Sequence, residues 1–177
     1  MTLAKNFKSY KNEIELIKAQ NPVECELYSI IASIMRERKN SNNISVRDVS
    51  VRRTTDFSES FKSESGFPDF VILTKKFRMD KPNNEDILGA IEAKSILDKT
   101  LEDSEQLKGH LKKFKKVIYT NGLEWKFYEY GRLDEVIILG KWSKDEIYWE
   151  SNDEWNHLLD KLDKIVWIEE NDINTNS

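Results

Sequence analysis

The spacing of apolar residues changes along the chain from a helical period to the alternation of strands. From Pro22 to Arg38, apolar side chains recur every three or four positions, which predicts an amphipathic helix. Asn21 is suited to cap this helix, and Pro22 to its first turn, where no backbone donor is needed. The segment before Asn21 also has helical spacing. The chain therefore begins with helical structure.

Short apolar runs and period-two alternation follow, as expected for strands. They occupy Ile44–Arg53, Phe70–Leu73, Ile87–Ile96, Lys116–Thr120, Glu124–Tyr130 and Glu135–Lys141. Asn121-Gly122 predicts a tight hairpin turn between two of these strands. Two more helices are predicted at Glu105–Lys115 and Asn152–Val166. This order indicates an α/β fold with a central mixed sheet flanked by helices.

The chain has the size of one domain, with 177 residues. We expect the domain to cover residues 1–168 and the polar residues 169–177 to form a frayed tail. Asp56–Gly66 and Phe77–Asp86 are predicted loops. Because there is no secretory signal pattern, no long apolar run and only Cys25 as a thiol, we expect a cytoplasmic protein without disulfides.

The net charge of −4 provides no basic surplus, so overall charge does not indicate a nucleic-acid-binding protein. Three polar positions that interrupt the apolar strands carry more information. Asp69 directly precedes one apolar run, and Glu92 and Lys94 lie two apart in the next run, so they point to the same face. If these strands are neighbours, the two carboxylates converge. The alternative is a turn aspartate and a solvated Glu–Lys pair.

Converging carboxylates predict a site for a hard divalent cation. Asp69, Glu92 and the backbone carbonyl of Ala93 would offer oxygen ligands to Mg²⁺ or Mn²⁺. Such an ion neutralises the charge of a scissile phosphate and activates a bound water. Lys94 beside it would hold that water or stabilise developing negative charge. The pattern therefore predicts metal-dependent hydrolysis of phosphodiesters.

The motif Pro68-Asp69…Glu92-Ala93-Lys94 resembles the signature of the PD-(D/E)xK nuclease superfamily. Gln106 to His110 is similar to the QxxxY motif of RecB-like nucleases and of the nuclease domain of type I restriction motor subunits, with His110 where that motif has tyrosine. Thr120-Asn121-Gly122 resembles a segment that follows it in the type I group. The resemblance implies a single restriction-endonuclease-like domain that cleaves DNA with Mg²⁺ or Mn²⁺. The chain contains no ATP-binding loop, so it is not expected to be a translocating motor by itself.

The resemblance also implies further site residues. The first helix is expected to supply a glutamate to the metal, and Glu24 is preferred over Glu26 because it lies nearer the centre of the apolar stripe. Gln106 is expected to form a hydrogen bond near Lys94 or the substrate phosphate. The alternatives are surface acids favoured by the helix dipole and an ordinary exposed glutamine. Neither His110 nor His157 is expected to bind metal, and His157 is expected at the surface.

Basic residues near the predicted site are candidates for contacts with DNA phosphates. Lys108, Lys112 and Lys115 are predicted to share one helix face, and Arg52 and Arg53, with Arg47, lie on the early strand. A solvated face is the alternative.

Four tryptophans lie in the last part of the chain, Trp142, Trp149, Trp155 and Trp167. They are expected either to pack the last helix against the sheet or to form a homodimer contact. No recognition module is visible, so a partner subunit is a possible source of specificity.

The function hypothesis is a metal-dependent DNA endonuclease of a restriction, defence or mobile-element system. One alternative keeps the site but changes the substrate to RNA, or to single-stranded or branched DNA. Another alternative is a non-catalytic nucleic-acid-binding subunit that keeps the scaffold.

Overall fold

The structure is a computed structural model that describes residues 6–51 and 56–169. Arg52 and Arg53, predicted to contact DNA, and residues 170–177 of the predicted tail lie outside the described residues. The α-helices in the described part are α1 (Phe7–Gln20), α2 (Glu26–Arg36), α3 (Glu105–Lys113) and α4 (Asn152–Lys164). The strands there are β1 (Ile44–Asp48), β2 (Phe70–Thr74), β3 (Ile87–Ala93), β4 (Lys116–Thr120), β5 (Glu124–Glu129), β6 (Arg132–Ile138), β7 (Gly140–Ser143) and β8 (Glu146–Trp149).

The first two helices meet at a turn that the sequence interpretation placed inside one helix. The backbone N–H of Asn21 donates to the carbonyl of Ile17 at 3.0 Å, so Asn21 ends α1. Helix α2 then begins at Glu26, and the predicted capping role of Asn21 and first-turn position of Pro22 are wrong. Asparagine occurs at both ends of helices. Here it ends α1, because its backbone N–H bonds to a carbonyl of that helix. Glu24 therefore lies in the turn between the helices.

The central sheet is mixed. Within the described residues its strand order is β1-β2-β3-β4-β5-β6. β3 and β4 run parallel, with α3 as the connection between them, and the other neighbours in this sheet are antiparallel. This confirms the predicted α/β fold, with a mixed sheet flanked by helices.

The two faces of the sheet bury two different cores. Phe70 and Ile72 of β2 pack with apolar residues of α1, α2 and α4. Val71 and Leu73 point the other way and pack with Leu107 of α3. Since side chains alternate along a strand, Asp69, two residues before Val71, belongs to the α3 face.

The end of the chain contains a hairpin that the periodicity did not predict. The predicted strand Glu135–Lys141 is divided, because β6 ends at Ile138 and β7 leaves the sheet to pair with β8. A Cβ on Gly140 would lie 2.9 Å from Cγ2 of Ile147, so glycine allows the close approach of these two strands. The β8 segment is only four residues long, too short for its periodicity to reveal it.

The tryptophans of this region serve packing. Trp155 and Trp167 are buried in the core, and Trp142 and Trp149 are half-buried against it. The indole N–H of Trp142 donates to the carbonyl of Ile96 at 3.0 Å. These contacts correspond to the packing alternative. No helix among residues 6–51 and 56–169 is both long and apolar enough to span a bilayer.

We expect Tyr10→Phe to lower the free energy of unfolding by about 1–3 kcal/mol, because it removes a buried hydrogen bond. Tyr10 is fully buried, and its hydroxyl donates to the carbonyl of Gly122, joining α1 to the turn between β4 and β5. Urea unfolding measures the change. The control is Tyr148→Phe, at a side chain that is 64% exposed, where we expect a change within about 0.5 kcal/mol. Equal unfolding midpoints for Tyr10→Phe and wild type would contradict the role of this bond.

Candidate active site

Asp69 and Glu92 are brought together by the pairing of β2 with β3. Phe70 pairs with Ile91 in this antiparallel ladder. At the adjacent position of the ladder, Asp69 therefore faces Glu92 on the same side of the sheet. The backbone N–H of Ala93 donates to Oδ2 of Asp69 at 2.7 Å. Only 7% of Asp69 and 1% of Glu92 are exposed. The two acids therefore form a buried pair on the α3 face.

Lys94 links this pair to α3. Its Nζ donates to Oε1 of Glu92 at 2.7 Å and to Oε1 of Gln106 at 3.0 Å. It also lies 3.9 Å from Oε2 of Glu24. Burial disfavours the charged form of Lys94, but the bond to Glu92 and the charges of Glu92 and Glu24 outweigh it, so the pKa of Lys94 is raised. Lys94 therefore stays protonated between the acids and Gln106.

Glu24 reaches the site from the turn before α2. The hydroxyl of Tyr28 contacts Oδ1 of Asp69 and lies 3.1 Å from Oε1 of Glu24. Glu26 instead accepts a hydrogen bond from the side chain of Asn21 at 2.6 Å. Of the two candidate glutamates, the structure thus brings Glu24 to the site. Tyr28 was missed by the sequence interpretation, although it lies one helical turn after Glu24.

The surroundings of Asp69 and Glu24 disfavour the negatively charged form of each carboxyl group. Burial and the nearby charge of Glu92 raise the pKa of Asp69 to about 7, against the opposing hydrogen bonds from Tyr28 and Ala93. Burial also raises the pKa of Glu24, although the charge of Lys94 acts in the other direction. A bound cation would relieve this repulsion.

His110 closes the inner side of the site. It is fully buried, with Nδ1 2.8 Å from Oγ of Ser63 and Nε2 3.3 Å from Oε2 of Glu92. The last two atoms are close but lack hydrogen-bond geometry, and neither has another hydrogen-bond partner among the described residues. Sequence reasoning missed the contact of His110 with Glu92. Its one signal was the position of His110 one turn after Gln106, on the same side of the helix.

Two small residues, Ser104 and Gly109, fix the start of α3 and its contact with the turn at Ser65. Ser104 caps the helix, with its Oγ accepting a hydrogen bond from the backbone N–H of Leu107 at 3.1 Å. A Cβ on Gly109 would lie 1.9 Å from Oγ of Ser65, so only glycine permits this approach of α3 to the preceding turn. The same approach brings Gln106 and His110 to the acids.

The donor set fits a hard divalent cation with several ligands from solvent or substrate. Asp69 and Glu92 supply carboxylates, and the buried Oε2 of Glu92 has no hydrogen-bond partner in the part of the chain that the structure describes. The N–H of Ala93 points towards Asp69, and in an extended strand the carbonyl of the same residue points to the same side. Within the described ranges no group of three or more His, Cys, Asp or Glu side chains is arranged as a complete metal site. Mg²⁺ commonly binds through one or two carboxylates and keeps several waters, which matches two acids and a carbonyl.

Two of the lysines that were predicted to contact DNA phosphates form ion pairs with acids of the chain. Nζ of Lys108 lies 2.5 Å from Glu105, and Nζ of Lys112 lies 2.6 Å from Glu64. These pairs are exposed, so they are weak and could exchange for phosphates. Their cationic charge is nevertheless largely balanced in this structure.

Lys115 does not share the helix face with the other two lysines. Helix α3 ends at Lys113, and the buried Phe114 follows it in the connection to β4. The prediction that Lys115 shares the helix face is therefore wrong. Lys115 is exposed in the connection that follows. His157 lies at the surface, as predicted, with Nε2 2.7 Å from Glu135.

Comparisons of this chain with protein-family models, with curated proteins and with solved structures give no match. The geometry and chemistry of the site therefore carry the functional argument.

We expect Asp69→Asn to change the pH dependence of stability measured by chemical denaturation in EDTA. The pKa of Asp69 is about 7 in the folded protein, whereas an aspartate in an unfolded chain titrates near 4. Between these values the folded state binds more protons, so wild-type stability falls as pH rises from about 4 to about 7. The variant lacks this decline and should gain stability relative to wild type up to about pH 7.

The control for this experiment is Asp80→Asn, at an exposed aspartate, which should follow wild type at each pH. A difference between wild type and Asp69→Asn that does not depend on pH would contradict the raised pKa of Asp69.

Proposed function

We propose that the protein is a metal-dependent endonuclease that hydrolyses phosphodiester bonds in DNA, with Asp69, Glu92 and Lys94 as its catalytic residues. The observation that carries the proposal is the buried cluster of these three residues. Nζ of Lys94 lies 2.7 Å from Glu92, and Glu92 faces Asp69 where β2 and β3 pair. The resemblance of Pro68-Asp69…Glu92-Ala93-Lys94 to the PD-(D/E)xK signature supports the same reading.

The acids have a defined role in this proposal. Asp69, Glu92 and the carbonyl of Ala93 would hold Mg²⁺ or Mn²⁺, with Glu24 next to them. When bound, such an ion neutralises phosphate charge and lowers the pKa of a coordinated water. Tyr28 holds the Asp69 carboxylate from the side of α2, so the acid is oriented before the ion arrives.

Lys94 supplies the positive group beside the reacting phosphate. An ammonium group has three donors, and Glu92 and Gln106 accept from two of them. The third donor is left for a water or a phosphate oxygen. In this role Lys94 orients the attacking water or stabilises negative charge as it develops. Gln106 acts through Lys94 as a positioning residue.

Burial of the cluster favours catalysis over a non-catalytic scaffold. Lys94 offsets one of the two negative charges in this buried site, and the second still destabilises the fold, so a protein that only binds nucleic acid has little use for both acids. A biological role in restriction, defence or a mobile element, and specificity from a partner subunit or a homodimer, belong to the same proposal.

We expect Asp69→Ala, Glu92→Ala and Lys94→Ala each to abolish cleavage while the circular dichroism spectrum keeps its wild-type form. For Lys94→Ala we expect a rate at least roughly 10²–10³-fold lower, the usual effect of losing one donor to developing charge. The measurement is a nuclease assay on plasmid, single-stranded, junction and RNA substrates, with and without EDTA.

Lys164→Ala is the matched control for this assay, since it removes an exposed lysine of α4 outside the cluster and should keep full activity. Wild-type activity in Lys94→Ala, with EDTA still inhibiting, would show that the catalytic centre lies elsewhere.

We expect millimolar Mg²⁺ or Mn²⁺ to raise the melting temperature, because an ion that binds only the folded state stabilises it. Glu92→Gln should reduce this gain by removing one ligand charge, whereas Glu85→Gln, at an exposed position, should keep it. Differential scanning fluorimetry measures the shift. A wild-type melting temperature that does not respond to either metal would count against a shared metal site.

A further inference from the structure

A large groove lies beside β1, the strand at one end of the described sheet. Its volume is about 1240 Å³, and we call it the β1 groove. Four basic residues line it, Arg36, Arg47, Lys75 and Arg78, together with one acid, Asp48. The lining formed by described residues is therefore strongly cationic, although the chain as a whole is acidic.

The cationic groups of the β1 groove are not neutralised by acids. Arg36 and Arg47 donate to the carbonyl of Val46 at 3.3 and 3.1 Å. Arg78 donates to the carbonyls of Lys75 and Phe77 at 2.9 and 2.8 Å. None of these basic side chains forms an ion pair with an acid in the described part of the chain. Their charge is available to an anion, in contrast to the paired charges of Lys108 and Lys112 on α3.

Most of the remaining lining is apolar. Val49, Phe67 and Phe77 are half-buried there, and Met79 is 46% exposed. Cations combined with an apolar and aromatic surface suit single-stranded DNA, whose phosphates meet the cations while its unstacked bases cover the apolar area. Duplex DNA offers phosphates for contact but keeps its bases stacked inside, so it would leave this surface exposed to water.

The β1 groove lies next to the segment that carries Asp69. The backbone N–H of Val49 donates to the carbonyl of Asp69 at 2.8 Å. Phe67 lies two residues before Asp69, and both Val49 and Phe67 pack on the α3 face. A strand bound along the groove would therefore pass next to the segment that carries Asp69.

We propose that the β1 groove binds a single-stranded DNA segment next to the phosphate that is cleaved. This inference rests on the proposed nuclease function, and it narrows the substrate class to single-stranded DNA or branched DNA with a single-stranded arm. The cations of the groove hold the sugar-phosphate backbone, and the apolar lining contacts the bases.

The test is binding of a fluorescently labelled oligo-dT to the full chain in EDTA, followed by fluorescence anisotropy. Arg47→Ala combined with Arg78→Ala removes two exposed cations of the groove and should weaken binding by about tenfold or more, because each phosphate contact also releases counterions. The matched control, Lys141→Ala combined with Lys164→Ala, removes two exposed lysines that do not line the groove and should bind within about twofold of wild type. An unlabelled duplex of the same length should compete poorly.

Several results would overturn the inference. They are absence of oligo-dT binding by wild type, unchanged binding by the Arg47→Ala, Arg78→Ala variant, and equal or better competition by the duplex. The nuclease assay of wild type separates the two proposals. Cleavage with unchanged binding in the groove variant contradicts the groove alone, whereas groove-dependent binding without metal-dependent cleavage contradicts the nuclease.

Discussion

Two buried carboxylates on neighbouring strands, Asp69 and Glu92, set the conditions that the surrounding residues must meet. Water is largely excluded from both groups, so their mutual repulsion is weakly screened and each needs a compensating partner. The backbone N–H of Ala93 and the hydroxyl of Tyr28 bind Asp69, and Lys94 binds Glu92. Burial and the charge of Glu92 nevertheless raise the pKa of Asp69, and a bound cation would oppose this shift.

The architecture delivers these partners from different parts of the chain. Helix α2 packs on one face of the sheet, and Tyr28, near its N-terminal end, contacts Asp69 through its hydroxyl group. Helix α3 packs on the other face and supplies Gln106 to Lys94 and His110 to Glu92. Because Gly109 allows α3 to lie close to the turn at Ser65, packing and site geometry are coupled. A shift of α3 would move two of the groups that surround the acids.

Electrostatics is distributed unevenly over the molecule. The site itself carries a surplus of acids, and the lysines of α3 are paired with glutamates. Unneutralised cations are instead found beside β1, next to the segment that leads into Asp69. The phosphates of a nucleic-acid strand would thus be attracted to the vicinity of the acids, although the protein as a whole is not basic.

Local periodicity was sufficient to determine the strands that carry the site and the shared face of Glu92 and Lys94, since alternation is a property of each strand alone. It did not determine where α2 begins, because Asn21 suits either end of a helix, nor did it reveal the short β8 strand. The contacts of Asp69 with Tyr28 and of Glu92 with His110 were decided only by tertiary structure. Helical spacing already favoured Glu24 over Glu26, but only the packing of the helices brought Glu24 to Lys94. These pairs join segments far apart in the chain, and their meeting depends on how helices pack on both faces of the sheet. The cationic groove likewise has no signature in any one segment, since α2, β1 and the loop after β2 each contribute part of it.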